Sequence, residues 1–398
     1  MPDSQQELLA NLRSVRRSGS HKSDLSNWEL SAAMSSDDDA KDLATEHMVD
    51  YDRHSHMQSN LVRSRKEWLK FAVSKTGLQS PEFRLLDLGC GPGHTAIEAV
   101  KPSIEAYRQL SPDGTIAVCH GDQPHNDWNA LFALIGGKSG YLIDKNIRTE
   151  ASVGSFYDVM ASPGSVSIAT CFVASHWLSR AMLITSPGTV WYADLTGDAR
   201  SAFMQLAQSD WTRFLRSRAI ELTSGGCVIV STLASIPDPN ETNGIRGSAR
   251  HLYRAIHKVA AGMVDDGLLS KEALDRFIFP LWFPTVDDVL NPILENDDLA
   301  AAFDVLEASV EDAAVNPQDA YGDYLAQPDE YAELYAGYVR GFGESSLRLH
   351  LFDRCAATQE ESDRLTHAFF ERFEALYRKE PGRYASETLT LTLVLQRR

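Results

Sequence analysis

Long apolar runs are missing from this chain: no stretch approaches the roughly 18 residues that a membrane span needs. Cysteine is scarce. The five thiols, at positions 90, 119, 171, 227 and 355, include no CxxC pair. That spacing argues against a zinc site or a disulfide framework and predicts reduced, buried thiols. The opening segment, MPDSQQELLANLRSVRRSGSHKSD, has no apolar centre of the secretory type, so a cytoplasmic protein is expected. Asn240-Glu241-Thr242 matches a glycosylation sequon and reads, in that setting, as an ordinary loop. Positive charge is outweighed: 38 Lys and Arg face 55 Asp and Glu, a net charge of −17. That sign disfavours nucleic acid as a partner. Internal repeats are also lacking. What remains is an ordinary globular composition, 43% hydrophobic, over 398 residues. This is enough for one large domain or two smaller ones.

Residues 1–45 are polar, contain the acid run SSDDDAKD, and read as a flexible arm. From there the pattern alternates. Helical spacing over 60–73 precedes a buried strand at 83–88, a helix at 95–110 and a strand at 115–119. A helix at 126–135, a strand at 166–172, a helix at 210–222 and a strand at 227–233 follow, with a late strand at 391–395. Alternation of this kind predicts an α/β fold, a mostly parallel sheet with helices on both faces. Between 247 and 338 helical spacing dominates, as in SARHLYRAIHKVAAGMVDDG and DDLAAAFDVLEASVEDA, and no strong strand interrupts it. The expected organisation is therefore a sheet domain at 46–246, an α-helical cap at 247–338, and a return to the sheet at 339–398.

The stretch 85–95, LLDLGCGPGHT, runs from an apolar strand into an acid and a glycine turn ahead of a helix. Such a turn offers backbone N–H groups and a helix N-terminus to a ligand, with no Cβ in the way. Gly89, Gly91 and Gly93 give GxGxG after Asp87 rather than the dinucleotide pattern GxGxxG. An acid at the strand end suits a ligand with a cationic head, such as S-adenosylmethionine, better than a pyrophosphate. A nucleotide and a purely structural turn are the alternatives. Asp122, after the second strand, either accepts ribose hydroxyls or caps the helix that follows.

At this point the motifs resemble a known family. GDQPHNDWNALF is similar to the NDLPxNDFNxLF motif of the SABATH methyltransferases, which include salicylate, benzoate and jasmonate carboxyl methyltransferases. The resemblance continues in order: GSFYDVMASPGSVSIATCFVASHWLS, SDWTRFLRSRAIELTSGGCVIVS, DRFIFPLWFPTVDDV and GYVRGFGESSL each match a family segment, and DYDRHSHMQ sits where the family has SYAxNSxxQ. The chain also departs from the pattern. The family's GCSSGPNT is shortened to GCGPGHT, Val173 replaces a tyrosine, and Ile278 replaces the asparagine of FNIP. The last change removes support for a metal site, and none is expected.

The resemblance implies a Rossmann-like class I methyltransferase with S-adenosylmethionine as its cofactor, and it implies roles for individual residues. Tyr51 and Ser55 meet the methionine end of the cofactor, and Asp87 and Gly89 lie along it. Asp122 holds the ribose with Gln123 beside it. Ser155 and Phe156 contact the adenine, and Cys171 lies on the wall nearby. Gln58 and the indole N–H of Trp177 donate to a substrate carboxylate. Such an acid has a reference pKa near 4 and is already the nucleophile at neutral pH, so no general base is required. His176, Leu252, Tyr253 and Trp282 line the acceptor pocket. Arg250, or its neighbours Arg246 and His251, would pair with a second acidic group on the substrate. The expected reaction is methyl ester formation on a small acid, aromatic or dicarboxylic, by a homodimer that binds neither nucleic acid nor membrane. Two alternatives stay open: methylation of a nitrogen or oxygen on a small heterocycle, and a silent relative that only binds. A nicotinamide oxidoreductase is disfavoured by GxGxG.

Overall fold

The computed structural model describes residues 65–76, 82–312 and 319–398. Seven strands form one sheet in the order β3-β2-β1-β4-β5-β9-β8. They are β1 (Glu82–Leu88), β2 (Thr115–Asp122), β3 (Ile147–Val153), β4 (Val166–Phe172), β5 (Leu222–Leu233), β8 (Phe303–Asp312) and β9 (Leu389–Arg397). A small antiparallel hairpin of β6 (Ser235–Pro237) and β7 (Ile245–Gly247) lies outside it. The first five strands pair in parallel, and β9 runs antiparallel to both β5 and β8. β4, at the centre, is buried at every position. A strand covered on both faces takes a continuous apolar and small-residue run, as VSIATCF does.

Helices α1 (Lys66–Thr76), α2 (His94–Leu110) and α3 (Trp128–Ile135) pack one face. Their buried Leu69, Val73, Ile97, Val100, Ile104, Leu131 and Ile135 join Phe83, Leu85, Ile116, Val118 and Ile168 from the strands in one cluster. On the other face α4 (Gly197–Glu221) carries the Arg218 charge toward the Cys171 thiol of β4. The doubly wound arrangement expected from the alternation is therefore present. It has a topological switch between β1 and β4, which lead to opposite sides, and such sheets bind ligands at that crevice, beyond the C-terminal strand ends.

The chain then builds α5 (Arg250–Asp265), α6 (Lys271–Asp275), α7 (Val286–Glu295) and α8 (Asp297–Ala302), and later α9 (Pro328–Leu347) and α10 (Gln359–Lys379). In α5 the buried Leu252, Tyr253, Ile256, Val259, Ala260 and Met263 recur at helical spacing and turn one stripe inward.

Three expectations need correction. The region 247–338 is not helical throughout, because 303–312 is β8, a strand of the main sheet. FDVLEASVED carries apolar residues at both helical and strand spacing, and a bulge between Val305 and Glu307 breaks the alternation that would identify a strand. β3 was not expected at all. Its sequence IRTEASV is half polar because it lies at the sheet edge, where Arg148 pairs with Glu82 and Glu150. The helix expected from 210 begins at Gly197, and β5 starts at Leu222, with Gly225 taken up in a register shift opposite β4.

Candidate active site

The glycine turn closes the end of β1. Gly89, Gly91 and Gly93 all have positive φ, at 73°, 53° and 117°. A Cβ on Gly89 would stand 2.3 Å from the Cβ of Ala174, so glycine is required there by contact as well as by conformation. The turn is tied to the end of β2. Gly89 N–H donates to the Gly121 carbonyl (2.8 Å), and Gly91 N–H donates to Asp122 Oδ2 (2.7 Å). Asn126 Nδ2 returns a bond to the Gly91 carbonyl (3.0 Å).

Asp122 accepts a second bond from Gln123 N–H on Oδ1 (2.7 Å). Burial pushes its carboxyl above the ordinary range, against the opposite pull of those two amides. The helix-cap alternative is taken by another acid, since Asp127 accepts from Ala130 N–H at the start of α3. Gln123 is half-buried beside Asp122. The Asp122 carbonyl accepts from Gly154 N–H (2.9 Å), which brings Ser155 and Phe156 to the same strand end.

Ser155 Oγ accepts from Tyr157 N–H (3.3 Å) and thereby closes a turn. The Phe156 ring is buried against Tyr157 and Phe214. This loop is clamped by an ion pair with no exposure on either side chain. Arg218 Nε donates to Glu221 Oε2 (2.6 Å). The other Arg218 nitrogens reach the carbonyls of Phe156 (2.7 Å) and Asp158 (2.8 Å), and Glu221 Oε1 accepts from the N–H groups of Met160 and Ala161. The motif RSRAIEL was visible in the sequence. The only signal for its role was two opposite charges three apart on one helix.

β4 ends at a strained residue. Val173 has φ 54°, a left-handed conformation that a β-branched side chain adopts at a cost of roughly 1–3 kcal/mol. Its N–H is held by the Ser231 carbonyl (2.7 Å), and the bend turns the following residues across the strand ends. The segment then pairs antiparallel with 280–282: Trp177 bridges Leu281, Leu178 N–H donates to the Pro280 carbonyl (2.9 Å), and Trp282 N–H donates to the His176 carbonyl (2.8 Å). The Tyr157 hydroxyl donates to the Trp177 carbonyl and joins this segment to the Phe156 loop.

The Nε1 of Trp177 is buried and finds no acceptor among the described residues, as is also true of Trp191 Nε1 and Trp282 Nε1. A buried donor left unpaired costs on the order of 1–3 kcal/mol, which an acceptor brought within reach would relieve. His176 is buried, with Nδ1 against Thr232 Oγ1 (3.1 Å), and burial pulls its pKa down to about 3. An aromatic wall continues from there, with His176 on Phe283 (5.6 Å), Phe283 on Trp191 (4.9 Å), and Tyr253 stacked on Trp191 (4.4 Å). Leu252 is fully buried in the same helix. Cys171 is fully buried on β4, and burial raises its thiol to about 12, so it stays protonated and serves as packing.

Arg250 does not offer a free charge to a substrate. It pairs with Glu241 (2.9 Å) and with Glu387, beside Arg246 on Glu387 and Arg254 on Asp194 and Glu241. Arg246 and Arg250 are thus paired within the protein, where the expectation gave one of them, or His251, a second substrate carboxylate. Tyr51, Ser55 and Gln58 lie outside the described residues.

Sequence reasoning missed the group behind Asp87. Asp87 is buried, with Oδ1 accepting from Thr170 Oγ1 (3.0 Å) and Oδ2 against His120 Nδ1 (3.1 Å). His120 stands two residues before Asp122 in β2, and that spacing was the available signal.

Residues 45–398 match the family described as SAM dependent carboxyl methyltransferase. Loganic acid O-methyltransferase from Catharanthus roseus is 24% identical over 340 residues, covering 76% of this chain and 87% of that protein. A salicylate/benzoate carboxyl methyltransferase from Arabidopsis thaliana is 26% identical over 245 residues, covering 58% and 61%. The fold is that of a solved loganic acid methyltransferase with SAH, at TM-score 0.68 and 22% identity, covering 87% of this chain and 96% of that one.

Proposed function

The chain belongs to the family of S-adenosylmethionine-dependent carboxyl methyltransferases and transfers a methyl group to a carboxylate; from that premise we propose which acid it takes and which residues act. The acceptor is the carboxylate of a small aromatic acid. It is held by the Trp177 indole N–H, with the Gln58 side chain as the second donor. Asp87 and Gly89 line the methionine end of the cofactor, with Tyr51 and Ser55 beyond them. Asp122 and Gln123 meet the ribose, and Ser155 and Phe156 meet the adenine. His176, Leu252, Tyr253 and Trp282 form the wall against which the acceptor ring rests.

One observation carries this reading: Trp177 Nε1 is buried without an acceptor among the described residues, on the segment after β4 that presses against the glycine turn at Ala174. S-adenosylmethionine, when bound, supplies a methyl group on a sulfonium, an already activated leaving group. The protein has to bring the acceptor oxygen to roughly 3 Å of that carbon, in line and out of water. Two uncharged donors suit the task. The acceptor's charge is neutralised as the new bond forms, so a cation bound to the ground state would hold it back. A base is not needed, and His176, with its pKa pulled to about 3, is a poor one.

The aromatic wall favours a planar acid, and the relatives named for loganic acid and for salicylate and benzoate are consistent with a carboxylate acceptor. A cytoplasmic homodimer is part of the proposal. Five free cysteines suit the reducing cytoplasm, and the homodimer is what the family resemblance implies. The test is a panel of carboxylic acids, xanthines and phenols incubated with methyl-labelled cofactor and read by mass. Methyl esters of small aromatic acids are expected. Label on a ring nitrogen or a phenol, with none on carboxylates, would overturn the proposal.

A further inference from the structure

Across the sheet, at the level of the glycine turn, a row of polar side chains lies among apolar ones. Asp87 is in register with Thr170 of β4 on one side and with His120 of β2 on the other, so all three stand on one face. His120 has no exposure. Behind it, the Tyr141 hydroxyl lies 2.6 Å from Nε2 and 3.2 Å from Thr149 Oγ1 on β3. The row thus runs over four strands, Thr170–Asp87–His120–Tyr141–Thr149.

Its hydrogen-bond directions follow from the two ends. A carboxylate only accepts, so Nδ1 of His120 carries the proton and donates to Asp87. Nε2 is then the acceptor, and the Tyr141 hydroxyl donates its hydrogen bond to it. Burial keeps that phenol protonated by raising it well above its usual range. The Thr149 hydroxyl completes the row by donating to the phenolic oxygen. A carboxylate has about four acceptor positions, and Thr170 and His120 use two of those on Asp87. The terminal torsion of an Asp is soft on its own, and these two donors fix it.

We propose that His120, braced by Tyr141, is a positioning residue for the cofactor: its Nδ1–H orients the Asp87 carboxylate so that the remaining acceptor positions meet the ammonium of the methionine moiety. The inference rests on the reading that Asp87 lies along that moiety. The row costs nothing in unpaired groups, and a histidine buried between an acid and a phenol in the middle of a sheet has no packing advantage over leucine. What it adds is a fixed direction for one charge.

Calorimetric binding of three ligands tests this: S-adenosylmethionine, S-adenosylhomocysteine and methylthioadenosine, which lacks the amino acid. His120→Leu should weaken the first two by about tenfold, the value of one hydrogen bond to a charged group, and leave methylthioadenosine within about twofold. His120→Asn, whose amide nitrogen can stand in for Nδ1, should recover most of the loss. A purely structural role would weaken all three ligands together, and that result, or no change in any, overturns the proposal. Asp87→Asn separates the two layers. If it spares S-adenosylhomocysteine relative to methylthioadenosine, the placement of Asp87 is wrong and the proposal falls with it. If Asp87→Asn is selective and His120→Leu is not, only the role of His120 falls. Should the melting curve of His120→Leu indicate misfolding, Tyr141→Phe decides. A selective loss of about threefold, from one weakened neutral hydrogen bond, supports the row, and no selective loss overturns it.

Discussion

On the side of the crevice proposed for the cofactor, the acids at the strand ends already have partners. Asp87 is held by Thr170 and His120, Asp122 by the amides of Gly91 and Gln123, and the loop carrying Phe156 by the buried pair Arg218–Glu221. On the side proposed for the acceptor, His176 has Thr232 as a partner, but two indole donors have none. The indoles of Trp177 and Trp282 are buried with no partner among the described residues. The acids of the first half are thus held by the protein itself, whereas the second half leaves two indole donors whose desolvation cost an acceptor can relieve. A site that must take one invariant cofactor and a chosen acid divides naturally this way. Rigidity serves the cofactor, and unsatisfied donors serve recognition.

The comparison can be broken from either side. The largest effect is expected at the clamp. Glu221→Gln leaves the Arg218 guanidinium buried without its counter-charge and should cost about 3–5 kcal/mol of stability in denaturant titration. A loss below about 1 kcal/mol would mean that the pair does not hold the loop. Next comes Trp177→Phe, which keeps the ring and removes the donor. By analogy with loss of one oriented donor, kcat/KM should fall by about 10²-fold or more, with cofactor affinity unchanged. A parallel loss of cofactor binding would erase the division between the halves.

His176 gives a smaller effect, in pH. Its folded pKa of about 3 lies below its ordinary value of 6.5. The unfolded chain therefore takes up this proton first as the solution is acidified. The contribution to stability is intact above pH 6.5 and is lost as pH falls from there toward about 3. His176→Gln should flatten that part of the acid profile, and kcat of the parent enzyme should be level between about pH 6 and 9, because no general base titrates there. A step in kcat near 6.5 would restore His176 as a base. The smallest change is expected in the selectivity of Arg250→Ala. Its carboxylate partners belong to the protein, so turnover of a benzenedicarboxylate relative to benzoate should stay within about twofold, while stability falls by about 1 kcal/mol.

The parts of the fold readable in sequence were those with local causes. Three glycines after an apolar strand and an acid announce the turn at 89–93, where all three then take positive φ, and HWLS announces the segment that carries Trp177. What escaped depends on distant partners. β8 hides behind a bulge, and β3 looks polar because its charges pair along an open edge. Arg250 lies on an amphipathic helix and resembles a substrate cation until Glu387, 137 residues away, is folded onto it. His120 shows its purpose only when β1 and β2 are in register and Tyr141 has come back from the loop after α3. Periodicity can mark a buried position, but it does not name the group that will satisfy it.

The central claim is that a carboxylate accepts the Trp177 indole N–H. It is tested most directly by following the indole 1H–15N signals of the seven tryptophans, with S-adenosylhomocysteine bound and benzoate, or the best acid of the panel, titrated in. Assignment comes from Trp177→Phe. The account predicts that the Trp177 resonance moves downfield as the acid saturates, as expected for a new charge-assisted hydrogen bond. An acid that binds and is methylated while that resonance stays in place would contradict it.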